Sequence, residues 1–273
     1  NLFEWIGWQD AAPMSESAGM KLHNAKNLLF RNNVVRHIRF ANGVWLDISN
    51  DNCRLTGNVF ADIPGTVNPH AVHIEGSHVL NQVDNNIFYK LRGGILIRDT
   101  NNVIVAQNLF ADCEDAGVTG TSGLGGPRPI GGHTNDGRGN KVHNNIFHAV
   151  GRAAIEFTNM HNESDGNLFS RMRGAFLRIL RPEPEQWLDL PFWQDIYGWE
   201  KQGRMLEMEV SFDPDTLELT LVPREEPPAV SVFRDIGADM FGAITGDKRQ
   251  PGPFSDLGRG FRSRAVDPRQ SAK

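Results

Sequence analysis

Short stretches in which apolar and polar residues alternate recur along the first two thirds of the chain. They are Met20-Lys21-Leu22-His23, Val44-Trp45-Leu46-Asp47, Val72-His73-Ile74-Glu75, Ile95-Leu96-Ile97-Arg98 and Ile155-Glu156-Phe157-Thr158. A period of two belongs to a half-buried strand, because successive side chains point to opposite faces. The pattern predicts that Val44, Leu46, Val72, Ile74, Ile95 and Ile97 point into a core. Trp45, Asp47, His73, Glu75, Leu96 and Arg98 are predicted to point outward.

A second signal sets the spacing. The tripeptide Asn-(Val/Ile/Leu)-(Val/Phe) recurs at Asn33, Asn58, Asn86, Asn108, Asn145 and Asn167, in steps of 25, 28, 22, 37 and 22 residues. A strand unit repeating near 22 residues with variable insertions is one turn of a β-solenoid, because no single unit can bury its apolar face alone. The repeated-leucine consensus of leucine-rich repeats is absent, and long amphipathic helical stretches are lacking before residue 180. The predicted fold is all-β: a right-handed parallel β-helix, a pectate-lyase-like solenoid of about six or seven coils. The asparagines read as structural, stacked in a hydrogen-bonded ladder at corners where Asn tolerates left-handed backbone. The Phe and Ile residues that follow them read as core.

The β-helix is expected to occupy residues 1–180, with 1–16 a loop or broken coil. Thr119 to Gly139, rich in Gly and Pro, reads as an inserted loop that explains the 37-residue step. After Arg181 the repeat stops. Residues 181–273 are predicted to form an irregular tail that packs on the solenoid and caps it. Strand-like runs are expected at Leu206–Val210 and Leu217–Val222, and irregular segments at Arg224–Pro228 and Arg259–Lys273.

Composition narrows the picture. With 28 Lys+Arg against 33 Asp+Glu the net charge is −5, which gives no electrostatic reason to expect a nucleic-acid or anionic-membrane partner. No run approaches the roughly 18 to 20 apolar residues of a transmembrane helix. No signal peptide is visible, but the chain opens at Asn1 in mid-pattern and reads as a mature or truncated piece. The sequence therefore names neither compartment nor oligomeric state. Cys53 and Cys113 read as structural thiols, and His133, His143, His148 and His161 show no metal-ligand spacing, so neither metal nor cofactor is expected.

The candidate chemistry follows from the strand register. Equivalent residues on adjacent coils of a parallel sheet lie about 4.8 Å apart, which sets the Asp47 and Glu75 carboxylates roughly 5 Å from each other. Two like charges that close do not both ionise freely. An ionised carboxylate beside a protonated one is what a retaining glycosidase uses, at about 5 to 5.5 Å against roughly 6.5 to 9.5 Å for inversion. Two solvated surface carboxylates are the plain alternative. The neighbours favour function: Trp45 and His73 share the outward face, Lys21 and His23 lie one coil before, and Arg98 lies one coil after. An outward Trp suits a sugar ring, whereas Glu156 lies several coils away and could be at best a distal contact.

These residues carry a resemblance. Glu16-Ser17-Ala18-Gly19-Met20-Lys21-Leu22-His23, Gly43-Val44-Trp45-Leu46-Asp47 with Asn52 and Arg54 to Phe60, and Ala71-Val72-His73-Ile74-Glu75 resemble motifs of glycoside hydrolase family 120, which includes β-xylosidases. Family 141 is a less close match. The resemblance covers roughly residues 4–180 and implies that Asp47 is the nucleophile and Glu75 the general acid/base. It points to a retaining glycosidase acting on plant cell-wall oligosaccharides, with Trp45 stacking on the sugar and Lys21, His23 and His73 hydrogen-bonding its hydroxyls. Two other functions fit the same fold: a Ca²⁺-dependent polysaccharide lyase with Asp47 and Glu75 as hard ligands and Arg98 as base, and a non-catalytic carbohydrate-binding solenoid.

Overall fold

The computed structural model describes residues 1–7, 16–65, 69–122, 127–130, 132–234 and 236–272. Three parallel sheets wind around one core. The first contains Leu2–Glu4, Val34–Arg36, Val59–Ile63, Ile87–Leu91, Leu109–Cys113, Ile146–His148, Leu168–Ser170 and Arg204–Met205. The second contains Ala18–His23, Asn42–Asp47, His70–Glu75, Gly93–Arg98, Val118–Thr121, Ala153–Phe157 and Ala175–Ile179, closed by an antiparallel strand, Gln186–Leu188. The third runs from Leu29–Arg31 to Glu163–Asp165. This is the predicted parallel β-helix.

The inward residues Val44, Leu46, Val72, Ile74, Ile95 and Ile97 are all buried in one continuous core. Coil on coil, Phe60, Phe88, Phe110, Phe147 and Phe169 stack with centroids 5.0, 4.6, 5.0 and 5.7 Å apart and nearly parallel planes. The strand spacing alone imposes this stack, since identical positions repeat at about 4.8 Å. Cys53 and Cys113 are buried free thiols.

The asparagine ladder runs the length of the helix. The Asn1 amide donates to Asn33 Oδ1, and the same contact passes through Asn58, Asn86, Asn108 and Asn145 to Asn167 at 2.9 to 3.0 Å. The left-handed residue at each corner is not the ladder asparagine. It is the residue before it: Asn32, Gly57, Asn85, Gln107, Asn144 and Gly166. The preceding residue turns the chain, which leaves the ladder side chain free to point inward.

The ladder ends on Glu200. Its carboxylate accepts from Ser164 Oγ, from Asn167 Nδ2 at 2.5 Å and from Asn167 N at 3.0 Å, and it is wholly buried. Burial outweighs these hydrogen bonds and pushes its pKa up to about 8.

The segment after Arg181 is more ordered than its composition suggests. The antiparallel strand Gln186–Leu188 closes the second sheet, and Arg204–Met205 extends the first, so stacking continues beyond the periodic signal. The helix Leu190–Tyr197 begins at Asp189, whose carboxylate accepts from Phe192 N at 3.1 Å, and buries Leu190 and Trp193 against the end of the core. A three-stranded antiparallel sheet follows: Met208–Asp213, Glu218–Pro223 and Phe261–Ala265. Its Phe212, Leu219 and Leu221 bury Val59, Ile87, Leu109 and Ile146 on the outer face of the first sheet. The expectation of an irregular segment over Arg259–Lys273 is corrected here, because Phe261–Ala265 pairs as a strand and Pro268–Ala272 forms a 3₁₀ turn.

Thr119 to Gly139 is likewise not all loop. It contains the end of strand Val118–Thr121 and a hairpin, Arg128–Ile130 against His133–Asn135. Gly123, Gly125 and Gly126, and residues 8–15 of the expected broken first coil, lie outside the described residues.

Candidate active site

The second sheet positions the chemistry. Its register runs Lys21, Trp45, His73, Leu96, Thr119, Glu156 and Arg178 in one outward row, with Trp187 opposite Arg178. A parallel row two residues later runs His23, Asp47, Glu75, Arg98 and Thr121. Asp47 and Glu75 are therefore direct Cα partners on adjacent strands, where the strand axes lie about 4.8 Å apart. Gly43 allows the close stacking beneath them, since a Cβ there would meet the Ala71 carbonyl oxygen at 2.4 Å.

Each carboxylate is met by its own cation. Asp47 Oδ2 lies 2.9 Å from Lys21 Nζ and 3.1 Å from His23 Nε2. Burial works against the Lys21 ammonium, but hydrogen bonds to Glu16 and Asp47 outweigh it and hold its pKa above the ordinary lysine value. Glu75 Oε1 accepts from Arg128 Nη1 at 2.5 Å, with Arg98 Nε 4.0 Å away and His73 Nε2 3.5 Å from the other oxygen. Asp47 and Glu75 face outward yet are only 7% exposed, so they are not the solvated surface carboxylates of the plain alternative. The His73 ring is held well below the usual histidine pKa by burial, with the nearby charges of His70, Arg98 and Lys21 adding to it, and is neutral at neutral pH.

Trp45 differs from its expected role. Lys21 Nζ sits 3.7 Å from its ring centroid, and the His73 ring stacks on it at 4.6 Å and 18°. Trp45 is 3% exposed, so its indole is no open platform for a sugar. Its indole N–H is buried without a hydrogen-bond partner among the described residues. His73, 4% exposed, likewise presents little surface to a ligand. His23 is the open member, with about half its side chain accessible, and Arg98 is 40% accessible.

Sequence reasoning missed Arg128. The hairpin that carries it lies across the end of the strand His70–Glu75, and Gly76 makes room for it. Gly76 has φ +60°, and a Cβ there would stand 2.5 Å from Ile130 Cδ1. The 37-residue step was the available signal, since insertions in solenoids form loops on one face, but it does not say where the loop lands. Among the described residues no group of three or more His, Cys, Asp or Glu side chains could hold a metal ion. Glu156 is buried and clamped by Arg152 and Arg178, so it offers no free carboxylate.

A search of curated proteins gives no match to the sequence. Among solved structures the chain is similar to one described as the complex structure of XylC with xylose, at 16% sequence identity and a TM-score of 0.62. The match covers 92% of this chain but 45% of that one, so the chain spans less than half of that neighbour's length. At this identity the likeness is one of fold. Residues 18–180 match the family described as "Right handed beta helix region", the same stretch that winds through the three parallel sheets. This chain belongs to that right-handed β-helix family.

Proposed function

We propose that this chain is a retaining glycoside hydrolase that cleaves plant cell-wall oligosaccharides, most closely a β-xylosidase of the glycoside hydrolase family 120 type. The observation that carries the reading is the direct pairing of Asp47 and Glu75 on adjacent strands, each buried and each matched by a cation. Adjacent-strand spacing suits the short carboxyl separation of the retaining mechanism better than the wider gap that inversion uses. The fold likeness to the xylose complex of XylC supports the substrate class.

In this reading Asp47 attacks the anomeric carbon as the glycosidic C–O bond breaks, and Glu75 gives its proton to the departing oxygen. Glu75 then takes a proton from water as that water attacks the same carbon and releases Asp47. Lys21, 2.9 Å from Asp47 Oδ2, holds the carboxylate in place. Trp45 lies under Lys21, and His73 stacks on Trp45, so the two rings brace the ammonium against Asp47. The Arg128 guanidinium must swing off Glu75 before Glu75 can give a proton to the leaving oxygen. The lyase alternative fares worse on donor chemistry: Ca²⁺ takes six to eight oxygen ligands, whereas these two carboxylates already hold Lys21, His23 and Arg128.

The test is turnover of a chromogenic aryl β-xyloside. Asp47→Ala should abolish it. Glu75→Ala should retain much of the first step, because an activated leaving group needs little protonation, and added azide should then yield a glycosyl azide of retained configuration. An inverted product, or activity lost to a chelator, would overturn the proposal.

A further inference from the structure

The row that contains Asp47 and Glu75 does not end at the candidate site. It continues through Arg98 and Thr121, and Leu180 bonds to the next coil in line through its N–H to the Phe157 carbonyl. At about 4.8 Å per coil, Thr121 lies about 10 Å and Leu180 about 19 Å from Glu75 along the helix. At this end of the row opens a cavity of about 420 Å³, lined by Thr121, Ser122, Leu180, Arg181, Glu183 and Glu185.

Beside the cavity stands Trp187. Its strand pairs antiparallel with Ala175–Ile179, which puts it opposite Arg178 on the outward row. The Arg178 guanidinium covers one face of the indole at 4.6 Å, and the Trp187 N–H donates to Glu185 Oε1 at 2.9 Å. The ring is thus fixed by two contacts, yet 47% of the residue remains exposed. A rigid, oriented and half-open Trp beside a polar cavity is the arrangement that Trp45 lacks.

Charge narrows the ligand. Arg181 is paired with Glu183, and Arg178 with both Glu156 and Glu185. Among the described residues, the cavity therefore offers hydroxyl and carboxylate acceptors, and Arg181, the cation that lines it, is already neutralised. An anionic uronic-acid chain finds no counter-charge there, whereas a neutral polyhydroxylated chain finds hydrogen-bond partners and an aromatic face.

We propose that the cavity at Thr121, Ser122 and Leu180, together with the open face of Trp187, is a distal subsite for a neutral β-linked xylo-oligosaccharide. The chain would lie along the helix axis with its reacting end at Asp47 and Glu75. This rests on the glycosidase reading for the sugar class and adds that the substrate is an oligomer several units long.

The test is calorimetric titration of the full chain carrying Asp47→Ala, which prevents turnover, with xylobiose, xylotetraose and xylohexaose. Affinity should rise with length to xylohexaose. Adding Trp187→Ala should cost about tenfold in xylohexaose affinity, the scale of a truncated aromatic anchor. Ser122→Trp, which fills the cavity, should cost a similar factor. Unchanged xylohexaose affinity in both variants, or tighter binding of oligogalacturonate than of xylohexaose, would overturn the subsite. Turnover of the aryl β-xyloside with affinity flat from xylobiose to xylohexaose sinks the subsite and leaves the glycosidase standing. Length-dependent binding that needs Trp187, in a chain that turns over no glycoside, does the reverse.

Discussion

Glu200→Gln should change how the stability of this β-helix depends on pH. Glu200 is wholly buried at the end of the asparagine ladder, and burial raises its pKa to about 8. In the unfolded chain the same carboxyl titrates at about 4.3. Between those values the folded state holds a proton that the unfolded state has lost. Stability from this group is therefore fully present below about pH 4.3 and falls as pH rises towards 8. At about 1.4 kcal/mol per pH unit, the loss amounts to about 5 kcal/mol over the whole window and about 4 kcal/mol between pH 5 and pH 8. A glutamine keeps an acceptor for the Asn167 amide and has no proton to lose. Urea denaturation at half-unit steps from pH 5 to 8 should show wild type losing stability relative to Glu200→Gln, so the difference between the two curves changes by about 4 kcal/mol. Parallel curves across that range would refute the argument, because they would mean that Glu200 titrates alike in both states.

Asn108→Ala removes amide bonds to the Val83 and Ala106 carbonyls and to Asn145, and strips Asn86 of its acceptor. It should cost about 3 kcal/mol or more, whereas Asn52→Ala, which removes one exposed bond to Asn27 and places alanine at a left-handed corner, should cost about 1 to 2 kcal/mol in the same denaturation. Lys21→Met removes the cation that aims Asp47 and should lower kcat/KM on an aryl β-xyloside by about a hundredfold, the scale of a lost charge-stabilising contact, with the fold unchanged by circular dichroism. Gly76→Ala puts a Cβ into a left-handed position and against Ile130, and should cost about 1 to 2 kcal/mol and speed hydrogen exchange across residues 128–135.

The sequence by itself determined what repeats. Alternation at Val44 to Asp47, Val72 to Glu75 and Ile95 to Arg98 declares strand and facing, and the asparagine spacing declares the coil. A parallel register then follows, because equivalent positions stack at one strand spacing. That is why Asp47 opposite Glu75, with Lys21 and His23 on one side and Arg98 on the other, was legible before any coordinates. Only the tertiary structure decided what does not repeat. Arg128 reaches Glu75 from an insertion whose landing place no periodicity encodes. Trp45, read as an open sugar platform, is closed between Lys21 and His73, since alternation reports the direction of a side chain and not what lies over it. The same limit hid Trp187 and the order beyond Arg181: the helix, Glu200 and the strand Arg204–Met205 finish the solenoid with residues that occur once, so no pattern announces them.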